Sequence, residues 1–196
     1  MSNFPHVMID LETLDTKPSS RILSVGAIRF NGKGQCAETV LYAHPSMEEQ
    51  KDKGRTTSAS TITFWERQSS QAREEAFKLE KDRCSIEQLN KDMTAFFQNV
   101  EYVWGNSPSF DLMILRDLFD QFELNTPWKF WQERDVRTIL EIFPDPAFIS
   151  LNKKPKDKYQ GIETGYPEHH PLGDNLRQIV KLTRIMGNIR FHKTEQ

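Results

Sequence analysis

The sequence predicts an α/β protein, a mixed β-sheet flanked by α-helices. Two observations carry this. Three strand-like segments open the chain, and helical periodicity then alternates with one short strand to the C-terminal helix.

Val7 to Glu12 reads as the first strand and Arg21 to Phe30, rich in strand formers, as the second. Asn31-Gly32 and Lys33-Gly34 tolerate positive φ, and Cys36 to Tyr42 returns as a third strand, so the opening is an antiparallel meander. Ser46 to Ser60 is polar, charged and without period, which predicts a loop. Helix is expected from Phe64-Trp65 through the charged stretch to Lys81. A second helix is expected over Ser85 to Phe97, where Ile86, Leu89, Met93 and Phe96 recur at spacings of three and four. Glu101 to Gly105 reads as a short strand, and Pro108 to Phe122 as an amphipathic helix with proline in its first turn. Phe130-Trp131 is expected to be a further strand and Val136 to Phe143 a short helix. Pro144 to Pro167 turns to proline, lysine and glycine, the composition of a long surface loop, and Leu172 to Met186 forms the last helix.

A chain of 196 residues with 37% apolar composition is long enough for a substantial core, and its length predicts one domain over 1–196, with a loop at 144–167 and a tail at 187–196. No run approaches the roughly 20 apolar residues of a membrane span, and the N-terminus lacks a secretory pattern, so the expected location is cytoplasmic, with no membrane partner. Cys36 and Cys84 are too few for a disulfide framework or a zinc cluster. The net charge of −2 argues against a protein that grips long polyanions by charge alone.

Asp10 and Glu12 stand two apart in the first strand, so both project from one face within reach of one another. A hard divalent cation is a natural partner for such a pair. Asp-x-Glu is also common at strand ends without any metal. Laid out at 100° per residue, Asp111 falls on the apolar stripe with Ile114, Leu115, Leu118 and Phe122. A carboxylate facing the interior needs a pairing charge or a cation, whereas a wet first-turn acid needs only the helix dipole. Asp174 opens the last helix after His169-His170-Pro171-Leu172-Gly173. Taken separately, its plain reading is a helix-end acid, and that of each histidine a solvated loop residue.

Together, and in this order, the three segments resemble the DEDDh family of 3′-to-5′ exonucleases, which includes RNase T, oligoribonuclease and polymerase proofreading subunits. Its motifs are matched by Ile9-Asp10-Leu11-Glu12-Thr13, by Gly105-Asn106 through Phe110-Asp111, and by His169 with Asp174 five residues on. Thr61 to Arg73, with Trp65, Gln68 and Ala72, looks closest to the branch of phage exonucleases and bacterial exoribonucleases. Two departures are Ser107-Pro108-Ser109 before Phe110 and Pro171 where a small residue is common. Neither removes a candidate ligand.

The resemblance implies an RNase H-like fold, and hydrolysis of single-stranded DNA or RNA from a free 3′ end to 5′-mononucleotides. It implies two divalent cations, Mg²⁺ or Mn²⁺, held by Asp10, Glu12, Asp111 and Asp174, with Asp10 bridging. His169 would be the general base, with His170 a rival by adjacency whose spacing to Asp174 does not match. Thr13 and Leu14 correspond to positions that meet the terminal nucleotide, and Asn106 to one that orients the second motif. Trp65 has two readings, a stacking surface for a base and, with Phe64 beside it, a core residue. Lys153, Lys154, Lys156 and Lys158 either guide a strand or form a solvated run. A homodimer is compatible with the family. The competing readings are a non-catalytic nucleic-acid-binding protein or a small phosphodiesterase on the same fold.

Overall fold

The computed structural model describes residues 3–143 and 164–188. Its centre is a five-stranded mixed sheet of β1 (His6–Thr13), β2 (Ile22–Phe30), β3 (Cys36–Ala43), β4 (Tyr102–Gly105) and β5 (Glu133–Asp135), in the order β3-β2-β1-β4-β5. β1, β2 and β3 pair antiparallel, as the opening meander predicts, and β4 and β5 are added parallel to β1. The helices are α1 (Met47–Asp52), α2 (Ala59–Glu66), α3 (Ser70–Ala76), α4 (Ile86–Phe96), α5 (Asp111–Gln121), α6 (Val136–Ile142) and α7 (Pro171–Asn188).

Strand alternation sorts β1 between two cores. Val7, Ile9 and Leu11 pack with Leu89 and Met93 of α4 and Leu112 and Leu115 of α5. Met8 faces the other way, packing with Leu172, Ile179 and Leu182 of α7. Asp10 and Glu12 continue the Met8 row, so the fold aims both carboxylates at the α7 side of the central strand.

The loop expected over Ser46 to Ser60 instead contains α1. Ser46 Oγ accepts the Glu49 N–H to start the helix, and Gln50 is buried. The Gln50 amide accepts from Ile22 N at 2.7 Å and donates to Ile22 O at 3.0 Å, so a side chain serves the strand as a pairing partner. A helix that buries an amide rather than an apolar stripe carries no hydrophobic period. The helix expected from Phe64 to Lys81 is two short helices, α2 and α3, with Ser69 capping the second by accepting from Ala72 N. Phe130-Trp131 lies in a 3₁₀ turn, and the strand follows at Glu133–Asp135. α5 begins at Asp111 rather than Pro108. Most of the loop expected at 144–167, with its lysines, and nearly all of the tail fall outside the described residues.

Buried Arg55, 1% exposed, joins the segment after β1 to α5. It donates to Ser20 O at 2.7 and 2.9 Å and to Pro18 O at 2.9 Å, and pairs with Asp117 of α5 at 2.8 Å. This guanidinium fixes the chain just beyond Thr13 to the helix that starts at Asp111. Among the described residues, no helix is long and apolar enough to cross a membrane.

Candidate active site

β4 is shorter than β1, and their pairing stops at Ile9 with Gly105. Leu11 therefore has no β4 partner, and its N–H donates to Asp111 Oδ1 at 3.3 Å. This bond ties the first residue of α5 to the strand carrying Asp10 and Glu12. Asp111 N in turn donates to Ser107 O at 3.2 Å, so the turn after Gly105 delivers the carboxylate to the sheet edge.

On the other side, Asp10 stands opposite Gly26 of β2. A Cβ at Gly26 would lie 2.6 Å from Pro171 Cβ and 2.9 Å from the Pro171 carbonyl carbon. Only glycine lets the first turn of α7 rest on the strand there. Asn175 Nδ2 locks the contact by donating to Gly26 O at 2.9 Å. One helical turn from Asp174, Gln178 donates to Asp10 Oδ1 at 3.0 Å. As a result, ligand atoms of Glu12, His169 and Asp174 lie within 4.8 Å of one another. Asp174 Oδ1 also accepts from Arg177 at 2.7 Å.

Crowded, buried acids resist ionising together. Burial raises the Asp10 carboxyl well above its usual range, and Asp111, Asp174 and Glu12 add to the rise, against the Gln178 hydrogen bond. Burial, then Asp174 and Asp111, do the same to Glu12. Burial pushes Asp111 up to about 7 despite the backbone hydrogen bonds it accepts. Oxygen ligands that cannot all carry charge unaided fit a hard divalent cation, which would hold them ionised.

The structure thus gathers Asp10, Glu12, Asp111, Asp174 and His169, drawn from three distant segments, into one site. It separates the two histidines. His170 is buried, its ring lying between Tyr42 and Tyr166 at 4.6 and 4.4 Å, whereas His169 is turned to the acids. Of the two readings of Trp65 the structure takes the core one and corrects the stacking one: the residue is 2% exposed, packed with Leu14, Leu23 and Ala76, and its indole N–H donates to Thr13 O at 3.0 Å. It supports the first acidic segment and offers no face for stacking. Thr13 and Leu14 are buried as well, and the Leu14 N–H and C=O are taken by Arg21 O and Ser58 N. Asn106 sits half-buried in the turn after β4. Sequence reasoning missed Phe64, which is 39% exposed with its ring 4.9 Å from that of His169. It also missed Gln178 and Gly26. Gln178 could have been found four residues after Asp174, where a polar side chain faces the sheet. Cys36 and Cys84 are unpaired, and burial raises both thiols.

The fold has solved counterparts. Escherichia coli exonuclease I in complex with a dT13 oligonucleotide superposes with a TM-score of 0.64 at 14% identity, covering 92% of this chain and 40% of that one. A zinc-bound form of its single-stranded DNA complex gives 0.66 at 14% identity, covering 94% and 40%. Exonuclease I from Methylocaldum szegediense gives 0.63 at 15% identity, covering 91% and 40%. The chain thus spans 40% of the length of these structures, and the likeness establishes an RNase H-like fold. An exodeoxyribonuclease of enterobacteria phage T4 is 25% identical over 203 residues, covering 89% of this chain and 86% of that protein. Residues 5–186 match the 3′-5′ exoribonuclease Rv2179c-like domain, and the chain belongs to this family of 3′-to-5′ exonucleases.

Proposed function

We propose that the protein removes 5′-mononucleotides from the 3′ end of single-stranded nucleic acid, with two divalent cations and a histidine base. The observation that carries this reading is the convergence of Glu12, Asp111 and Asp174 on Asp10, whose charges add to the rise that burial imposes on the Asp10 carboxyl, as those of Asp111 and Asp174 do on Glu12. Asp10, Glu12, Asp111 and Asp174 would hold the cations, Mg²⁺ or Mn²⁺, which when bound acidify water and neutralise charge on the reacting phosphate. His169 lies beside Glu12 and Asp174, where its imidazole takes the proton of the attacking water. Phe64, exposed next to His169, gives the terminal base a face to stack on, which suits an enzyme that accepts any sequence. Exonuclease I, with the same fold, has been solved with dT13 and dA16 oligonucleotides, which supports a single-stranded substrate here.

The matched family is described as exoribonuclease and the phage relative as exodeoxyribonuclease, so the test uses both sugars. Matched 5′-labelled DNA and RNA oligonucleotides are incubated with Mg²⁺ or Mn²⁺, with EDTA and Asp10→Ala as controls. A ladder shortening from the 3′ end and abolished by both controls is expected. Intact strands under both metals would move the assignment to a nucleic-acid-binding protein. His169→Ala is expected to cut turnover sharply while Mn²⁺ binding persists, and near-normal turnover would reject the base.

A further inference from the structure

His169 has φ of 57°, in the left-handed region that a residue with a Cβ occupies only at a cost. Something must hold it there, and its neighbour is anchored from three directions. The His170 ring packs against Tyr42 of β3 and Tyr166, tilted by 31° and 30° to their rings. Its Nδ1 accepts the Leu172 N–H at 3.2 Å, satisfying a donor in the first turn of α7. Nδ1 is therefore unprotonated, which leaves the ring proton on Nε2. Nε2 faces Glu75 Oε1 of α3 at 3.7 Å. Glu75 is itself fixed, accepting from Tyr42 Oη at 2.8 Å and from Lys78 Nζ at 2.9 Å. β3, α3 and the segment entering α7 thus meet on one imidazole.

We propose that this clamp on His170 is the positioning device for His169. It holds the backbone in the left-handed turn that points the His169 ring at Glu12 and Asp174. Without it the turn relaxes to negative φ and swings that ring out of the acidic site. His170 is thus a positioning residue, and the inference rests on the reading of His169 as the base.

The test is a double-mutant cycle on the full chain. His170→Ala is expected to lower kcat on a labelled oligonucleotide by about 10–100-fold, the cost of a displacement near 1 Å, with KM and the Mn²⁺ midpoint nearly unchanged. Added to His169→Ala, it is expected to have no further effect on the residual rate, because there is no base left to misplace. Hydrogen exchange at the amides of residues 169–172 should accelerate in both backgrounds. Tyr42→Leu removes one wall of the clamp and leaves the helix cap, so a smaller loss in the same pattern is expected, and this variant decides if His170→Ala does not fold. An unchanged kcat in both variants, with His169→Ala inactive, overturns the clamp alone. An equal fractional loss in both backgrounds overturns it as well, since that marks general damage. Wild-type activity in His169→Ala removes the base assignment and the clamp with it.

Discussion

Gly26→Ala adds one methyl group to the strand partner of Asp10. At the present geometry that carbon would stand 2.6 Å from Pro171 Cβ, 2.9 Å from the Pro171 carbonyl carbon and 3.0 Å from Leu172 N. Carbon atoms rest about 3.5–4.0 Å apart, so the first turn of α7 must retreat by about 1 Å. Two of the three obstructing atoms are backbone, and no rotamer change relieves them. Asp174, three residues further on, moves with that turn, and so does His169 just before it. Overpacking of this kind costs about 1–3 kcal/mol of stability, a loss of a few degrees in Tm. The effect on turnover should be larger, about 100-fold, because Asp174 and the proposed base His169 leave the sheet-borne acids together. Gly187→Ala is the control on the same helix, since nothing lies within 4 Å of its added Cβ. It should be neutral or slightly stabilising. The assay is shortening of a 5′-labelled oligonucleotide, with thermal melting alongside. Activity of Gly26→Ala within twofold of wild type would refute the claim that α7 is seated on this glycine to complete the site.

The two aromatic residues of α2 should separate in one experiment. Phe64→Ala is expected to raise KM for oligonucleotides, at about 1–3 kcal/mol for a lost base stack, without shifting Tm. Trp65→Phe, which loses the bond to Thr13 O, should lower Tm through about 1 kcal/mol of hydrogen bonding, and the reverse pattern would restore Trp65 as the stacking residue. The contribution of Asp111 to the stability of the metal-free protein is expected to fall as pH rises from about 4 to about 7. Asp111, with its folded pKa about 7, keeps a proton that the unfolded chain has already released near pH 4, so its contribution is lost as pH passes through the folded value. His44, lowered by burial to about 4, opposes that fall between about pH 4 and 6.5, so the Asp111 contribution is read as the difference from a variant that lacks the carboxyl. In EDTA melting curves Asp111→Asn should gain stability relative to wild type as pH rises from about 4 to 7, and a constant difference across that range would show that the folded Asp111 titrates at its ordinary value. Arg55→Met is expected to cost at least about 2 kcal/mol by orphaning the carbonyls it serves, read as a lowered midpoint in urea.

The parts of the fold legible in the sequence are those that repeat an apolar period. β1 to β3, α4 and α5 each place hydrophobic side chains at strand or helix spacing, and the structure contains each within a few residues of its expected bounds. Asp111 was visible as a charge on an apolar stripe because Ile114, Leu115 and Leu118, which share its face, are core residues. α1 was hidden because its buried face is Gln50, satisfied by Ile22 of β2, and Arg55 was hidden because a buried guanidinium looks like a surface charge until its carbonyl partners are known. The resemblance already set His169 apart from His170 by its spacing to Asp174, but the place His170 takes needed Tyr42, Glu75 and Tyr166, which only the fold brings to it. Gly26 gave no signal, since its role depends on Pro171, 145 positions further along the chain.

The most direct test of the carboxylate site is a Mn²⁺ titration followed by electron paramagnetic resonance on wild type, Asp10→Ala and Asp174→Asn. Two bound ions per chain are expected in the wild type, with losses in both variants and restored stability at pH 8 when the metal is present. If the wild type binds no Mn²⁺ at that pH, the acids are a mutually protonated cluster rather than a cation site, and the hydrolytic account falls.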